Sequence, residues 1–111
     1  MNIVTKIASV LATIGWIGAA NAGSAGNGLV SNIIVQPGGQ MFFEVADTHT
    51  SRAGCATSDR WVINTSTPGG QSAAATVLTA FSLKRPIGVH GTGACEVWGD
   101  TETVYFLLLR N

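Results

Sequence analysis

The chain reads as a small, mainly β domain with one helix and one disulfide, and three observations predict it. Short runs rich in Val, Ile, Phe and Trp recur between Gly- and Pro-containing turns, at residues 29–35, 41–45, 60–64, 87–90 and 103–109. One stretch, 71–85, carries apolar residues at helical spacing. Two cysteines, Cys55 and Cys95, are the whole complement in 111 residues, an even count that reads as a bridge in an oxidising compartment.

That compartment is indicated by the first residues. Residues 1–22 (MNIVTKIASVLATIGWIGAANA) place Lys6 before an apolar run at 7–20 and end on Ala20-Asn21-Ala22, a small-x-small cleavage site. This is the pattern of a secretory signal peptide. The apolar run falls short of the roughly 20 residues that span a bilayer, and no lipidation cysteine follows it. The expected organisation is a signal peptide at 1–22 and a single domain at 23–111, periplasmic or secreted, with no membrane span after cleavage. At this length a second core has no room. Loss of Lys6 leaves five basic residues against six acidic, which gives no footprint for nucleic acid. Closing the 55–95 loop contributes about 4 kcal/mol on the chain-entropy account. Neither CxxC spacing nor partner ligands accompany the cysteines, so neither redox chemistry nor a metal or other cofactor is expected.

Residues 23–28 (GSAGNG) read as a flexible leader. The run at 29–35 closes on Gln36-Pro37-Gly38-Gly39, a tight turn, and 41–45 returns as its hairpin partner with Met41, Phe43 and Val45 on one face and Phe42 and Glu44 on the other. Residues 47–59 (DTHTSRAGCATSD) are polar and aperiodic, a loop that Cys55 pins; 60–64 (RWVIN) suits a third strand. Thr67 before Pro68 signals a helix start. In 71–85, Ala74, Val77, Leu78 and Phe81 stand at i, i+3, i+4 and i+7, Lys84 and Arg85 fall in the last turn, and Pro86 stops the helix. A fourth strand at 87–90 breaks at Gly91-Thr92-Gly93, 94–98 (ACEVW) resumes extended, and 103–109 (TVYFLLL) is apolar on both faces. Such a strand is either covered on both sides or meets another subunit.

Five strands with a helix between the third and fourth is the connectivity of a small OB-like Greek-key barrel. The stretch from Cys55 through Trp61 and the helix to Pro86-Ile87-Gly88-Val89 and Cys95 resembles the B subunits of AB5 toxins, those of the subtilase cytotoxin type among them. The segment GTGACEVWGDTE, residues 91–102, is similar to small exported proteins of Gram-negative bacteria. The resemblance implies a ring of five subunits that binds cell-surface glycans and carries a separate catalytic subunit.

Candidate binding residues gather where loops are held by a scaffold. Asp47, His49, Arg52 and Asp59 share the polar loop and are candidates for ligand contact; the competing reading is a solvated loop anchored by the disulfide. One His and two Asp without defining spacing do not make a metal site. Trp61 sits in an apolar strand and reads as core, whereas Trp98, at a strand end beside Gly99-Asp100, offers a flat face for a sugar or a protein. His90, Asp100 and the serines lack a Gly-x-Ser-x-Gly elbow, and no catalytic residues are expected. Tyr105, Leu107 and Leu109 are candidates for a subunit interface. The leading expectation is therefore an exported, non-catalytic module for a glycan or an envelope or secreted protein, assembled as a homo-oligomeric ring. The alternative is a monomeric periplasmic structural or accessory protein, which must cover those side chains with its own helix and loops.

Overall fold

The computed structural model describes residues 22–111; the signal-peptide reading, Ala22 apart, lies outside the described residues. Among them the order is β1 (Ser24–Gly28), β2 (Val30–Val35), β3 (Gln40–Val45), β4 (Trp61–Asn64), α1 (Pro68–Leu83), β5 (Ile87–Gly91) and β6 (Glu102–Leu109). The strands form one curled, half-barrel sheet in the order β1-β5-β6-β4-β3-β2. Neighbours are antiparallel except at a short parallel seam, where Trp61 lies beside Glu102 and Val62 beside Thr103.

The mainly β class with one helix and one disulfide is what the sequence predicts, but there are six strands rather than five, and the helix follows the fourth. The additional strand is β1, formed by the residues read as a flexible leader. Nothing in GSAGNG favours a strand locally; distant acceptors impose it. Asp47 Oδ2 accepts from the Gly26 and Asn27 N–H groups, both at 2.9 Å, and Glu102 Oε2 accepts from Gly23 N–H at 2.8 Å. On its other side β1 pairs with β5, Ser24 opposite His90 and Ala25 opposite Val89. A second correction concerns 94–98, which is not a strand: it forms a turn-rich loop with only a Trp98–Thr101 bridge.

The β2–β3 hairpin turns through Gln36–Gly39, where Gln36 N–H reaches Gln40 C=O at 2.8 Å and Gly39 takes φ +94°. That left-handed conformation is open to glycine at no steric cost. Alternation along β3 follows the expected faces. Met41 and Phe43 enter the main core with Trp61, Ile63, Ile87 and Val89, and Val45 packs against it. Phe42 points the other way and is nevertheless fully buried, as is its cross-strand neighbour Val62. A second, smaller core lies on this outer face. The Arg60 guanidinium stands 4.3 Å from the Phe42 ring centroid, and Trp98 meets the same ring edge-on at 5.2 Å. The loops on either side of β4 and β5 are joined there by the Cys55–Cys95 disulfide.

Helix α1 begins three residues before the expected 71–85 segment. Thr67 is the N-cap, its Oγ1 accepting from Gly70 N–H at 3.0 Å, and Pro68 opens the first turn. The helix ends earlier than predicted, because Lys84 takes the left-handed C-cap conformation; Lys84 and Arg85 are outside the last turn. The buried stripe also differs: Ala74, Val77 and Ala80 face the sheet, whereas Leu78 and Phe81 are exposed. Small residues let the helix lie close to β2, β4 and β6, and the larger apolar side chains are turned outward.

The outer core makes the disulfide structural. Replacing Cys55 and Cys95 together by Ser should remove about 4 kcal/mol and lower the melting temperature by roughly 15 °C or more, read by circular dichroism. An unchanged melting point would remove the structural role.

Candidate functional site

Glu102 is the residue on which one end of the curled sheet converges, and sequence reasoning passed over it. Its side chain is 0% exposed. Oε2 accepts from the Gly23 and Gly93 N–H groups at 2.8 and 3.0 Å, and Oε1 from Ala53 N–H at 3.3 Å. His49 Nε2 lies 3.2 Å from Oε1, and the imidazole stacks on the Trp61 indole with centroids 4.0 Å apart. A buried carboxylate is tolerated when its lone pairs are filled in this way. The space is made by glycines: a Cβ on Gly91 would overlap the Glu102 carboxyl group, and one on Gly23 would come within 2.5 Å of both Glu102 Oε1 and His49 Nε2. The signal available in the sequence was a lone acidic residue heading an apolar strand, downstream of Gly91-Thr92-Gly93.

His49 is therefore placed differently from a solvated loop residue. Its side chain is only 3% exposed, held by Glu102 and Trp61, and its Nδ1 has no partner. From this fixed ring the loop runs outward to form one wall of a depression of about 360 Å³. Asp47, His49, Arg52 and Asp59 all line it, with Glu44 contributed by β3. Arg52 pairs with Asp59 across the loop and also donates to Ala56 C=O. Asp47 is anchored by Gly26, Asn27 and Thr48, and the N–H groups of Asn27 and Thr48 chiefly hold its carboxyl below the ordinary aspartate range, against a smaller effect of desolvation. The Glu44 carboxylate accepts from Asn32 Nδ2 at 2.6 Å. The rim thus offers carboxylate oxygens and a guanidinium in fixed positions, suited to hydrogen-bonding a polar ligand. Its volume is within the range of about 300–1,000 Å³ usual for small-ligand sites.

Trp98 does not line this depression. It lies over Phe42 and is 36% exposed, so it offers part of its indole to solvent. Along β6, Tyr105 is 73% and Leu109 49% exposed, whereas Leu107 packs against the main core. Phe106 stacks on His90 at 4.5 Å with Tyr105 edge-on to it. Among the described residues no three His, Cys, Asp or Glu side chains gather as a metal site, and no helix is long and apolar enough to cross a membrane. Comparisons with family models, with curated proteins and with solved structures give no match for this chain.

Two outcomes are expected. Replacing Glu102 by Ala strands three backbone donors and His49, at about 1–3 kcal/mol for each buried group, so chemical denaturation should show a loss of about 4 kcal/mol or more. The Asp47→Asn variant tests the β1 anchor through pH. A lowered folded-state pKa contributes stability that is present above the ordinary aspartate value and lost as pH falls through the lowered one. The acid limb of the melting-temperature profile should therefore flatten in Asp47→Asn; an acid limb identical to the native protein's would show that the anchor contributes nothing.

Proposed function

We propose that the chain is an exported, non-catalytic binding module that recognises a glycan through the depression at Asp47, His49, Arg52 and Asp59, and that it works as a ring of copies. The observation that carries the reading is the convergence of those four loop residues on one polar hollow with a rigid back wall. His49 is clamped by Glu102 and Trp61, Asp47 is tied to β1, and Arg52 and Asp59 hold each other. Such pre-ordering lowers the entropy a ligand must overcome on binding. Hydroxyl groups suit a rim that mixes acceptors with a guanidinium donor.

The barrel and ring parts of the reading have separate support. β1 and β2 are consecutive stretches of chain, divided only at Leu29, whose C=O accepts from Ala46 N–H at 2.9 Å. They are also the two outer strands of the sheet. Counted as one bent strand, they reduce the order to five strands with the helix after the third, which supports an OB-like barrel and the resemblance to AB5 toxin B subunits. The ring is supported by what a single copy leaves uncovered. Leu78, Phe81 and Leu83 project from α1, Ile34 and Val35 from the free edge of β2, and Tyr105 and Leu109 from β6. A helix apolar on both faces belongs in the interior of something larger than this domain, and apolar patches of this kind mark association surfaces.

Native mass spectrometry of the oxidised, exported protein should give a closed ring, and a Tyr105→Glu, Leu109→Glu variant should give monomer. Printed glycans should retain the native protein, with at least tenfold weaker binding by Arg52→Ala or Asp59→Ala at an unchanged melting temperature; that factor is about 1.4 kcal/mol. A monomer at all concentrations would favour the accessory-protein alternative, and an array without a bound glycan would remove the ligand class.

A further inference from the structure

We propose that the Glu102 pocket is a binding site for a primary ammonium, and that its ligand is the α-amino group created on Gly23 by cleavage after Ala22. The inference rests on the cleavage reading of Ala20-Asn21-Ala22, and not on the glycan reading.

The nitrogen in question already occupies the site. Gly23 N lies 2.8 Å from Glu102 Oε2, in a buried hydrogen bond. In the uncleaved chain it is an amide that supplies one neutral donor. After cleavage the same atom carries a full positive charge and three protons, so a hydrogen bond with charge on the acceptor alone becomes an ammonium–carboxylate ion pair. Ala22 is exposed while Gly23 is buried, so its removal opens the nitrogen to water on one side, and water accepts hydrogen bonds from the other two N–H groups.

Among the described residues no Lys or Arg pairs with Glu102. The remaining donors to Glu102 are the Ala53 and Gly93 amides and the His49 imidazole. Arg52 is engaged with Asp59 and Arg60 with Asp100. A buried carboxylate with no Lys or Arg partner gains from a permanent counter-charge delivered at contact distance. The pocket also demands the residue that cleavage exposes, since a Cβ at position 23 would collide with Glu102 and His49. Glycine at the first mature position is thus a requirement of the site. Processing then does more than release the chain: it completes the attachment of β1 and leaves the uncleaved form the less stable of the two.

Amine-reactive labelling tests this directly, because Lys84 is the one lysine after position 22. The full chain is expressed for export, its terminus is read by intact mass, and the folded protein is treated with an acylating ester. Lys84, which is exposed, serves as the internal reference. The Gly23 amine is expected to react at least about tenfold more slowly in the folded protein than in urea, the factor that one pKa unit represents. Glu102→Gln should restore fast reaction; if that variant does not fold, the folded-to-unfolded ratio of the native protein decides alone. A terminus elsewhere than Gly23 overturns the proposal at the cleavage step. A Gly23 amine that reacts equally fast folded and unfolded overturns it at the pocket.

Discussion

Glu102 stands at the first residue of β6, at the seam where that strand runs parallel to β4 and the two halves of the sheet meet. Its carboxylate reaches the start of β1 through Gly23, the polar loop through Ala53 and His49, and the turn before β6 through Gly93. Three segments are registered by one side chain, two of them about 50 or more positions away from it. The constraint is steric as well as electrostatic, because Gly23 and Gly91 owe their lack of a side chain to the space that the carboxylate fills. The polar depression depends on this in turn, since the His49 ring that backs it is positioned by Glu102 and Trp61.

The helix and the outer cap show how so short a chain covers both faces of a curled sheet. On the concave side Ala74, Val77 and Ala80 bring α1 close to the strands. On the convex side Phe42 and Val62 are buried without a second layer of regular structure, under Arg60, Trp98 and loops joined by the disulfide. A cross-link is effective there because irregular loops contribute few buried apolar contacts of their own. The apolar side chains that remain outside, on α1, β2 and β6, are those for which a single copy has no cover.

What could be read from the sequence was what is encoded locally. The strands around 41–45, 61–64, 87–90 and 103–109 announce themselves by β-branched and aromatic runs, and the Thr67-Pro68 cap by its chemistry. β1 could not be read, because its backbone is held by Asp47 and Glu102, residues 20 or more positions away. The buried face of α1 was misassigned because Ala74 and Val77 belong equally to a stripe ending at Ala80 and to one ending at Phe81. In 94–98 the alternation of ACEVW suggested a strand, but Cys95 is tied to Cys55 and the chain turns back at Trp98. The polar character of the loop that lines the depression was legible in its composition; the carboxylate behind it was not, since a single Glu carries no pattern.

The parallel seam also bears on how the chain reaches this structure. β2, β3 and β4 are consecutive and pair as a meander, so that half can form from short-range contacts alone. The other half must bring Ser24 against His90, a closure spanning most of the domain and therefore slow. The disulfide, 40 positions apart in sequence, joins the loop between β3 and β4 to the loop that precedes β6. Once formed, it shortens the effective loop across which the seam must close. The cross-link is therefore a folding guide as well as a brace, and the order in which the bond and the seam form decides how long the apolar strands stay uncovered.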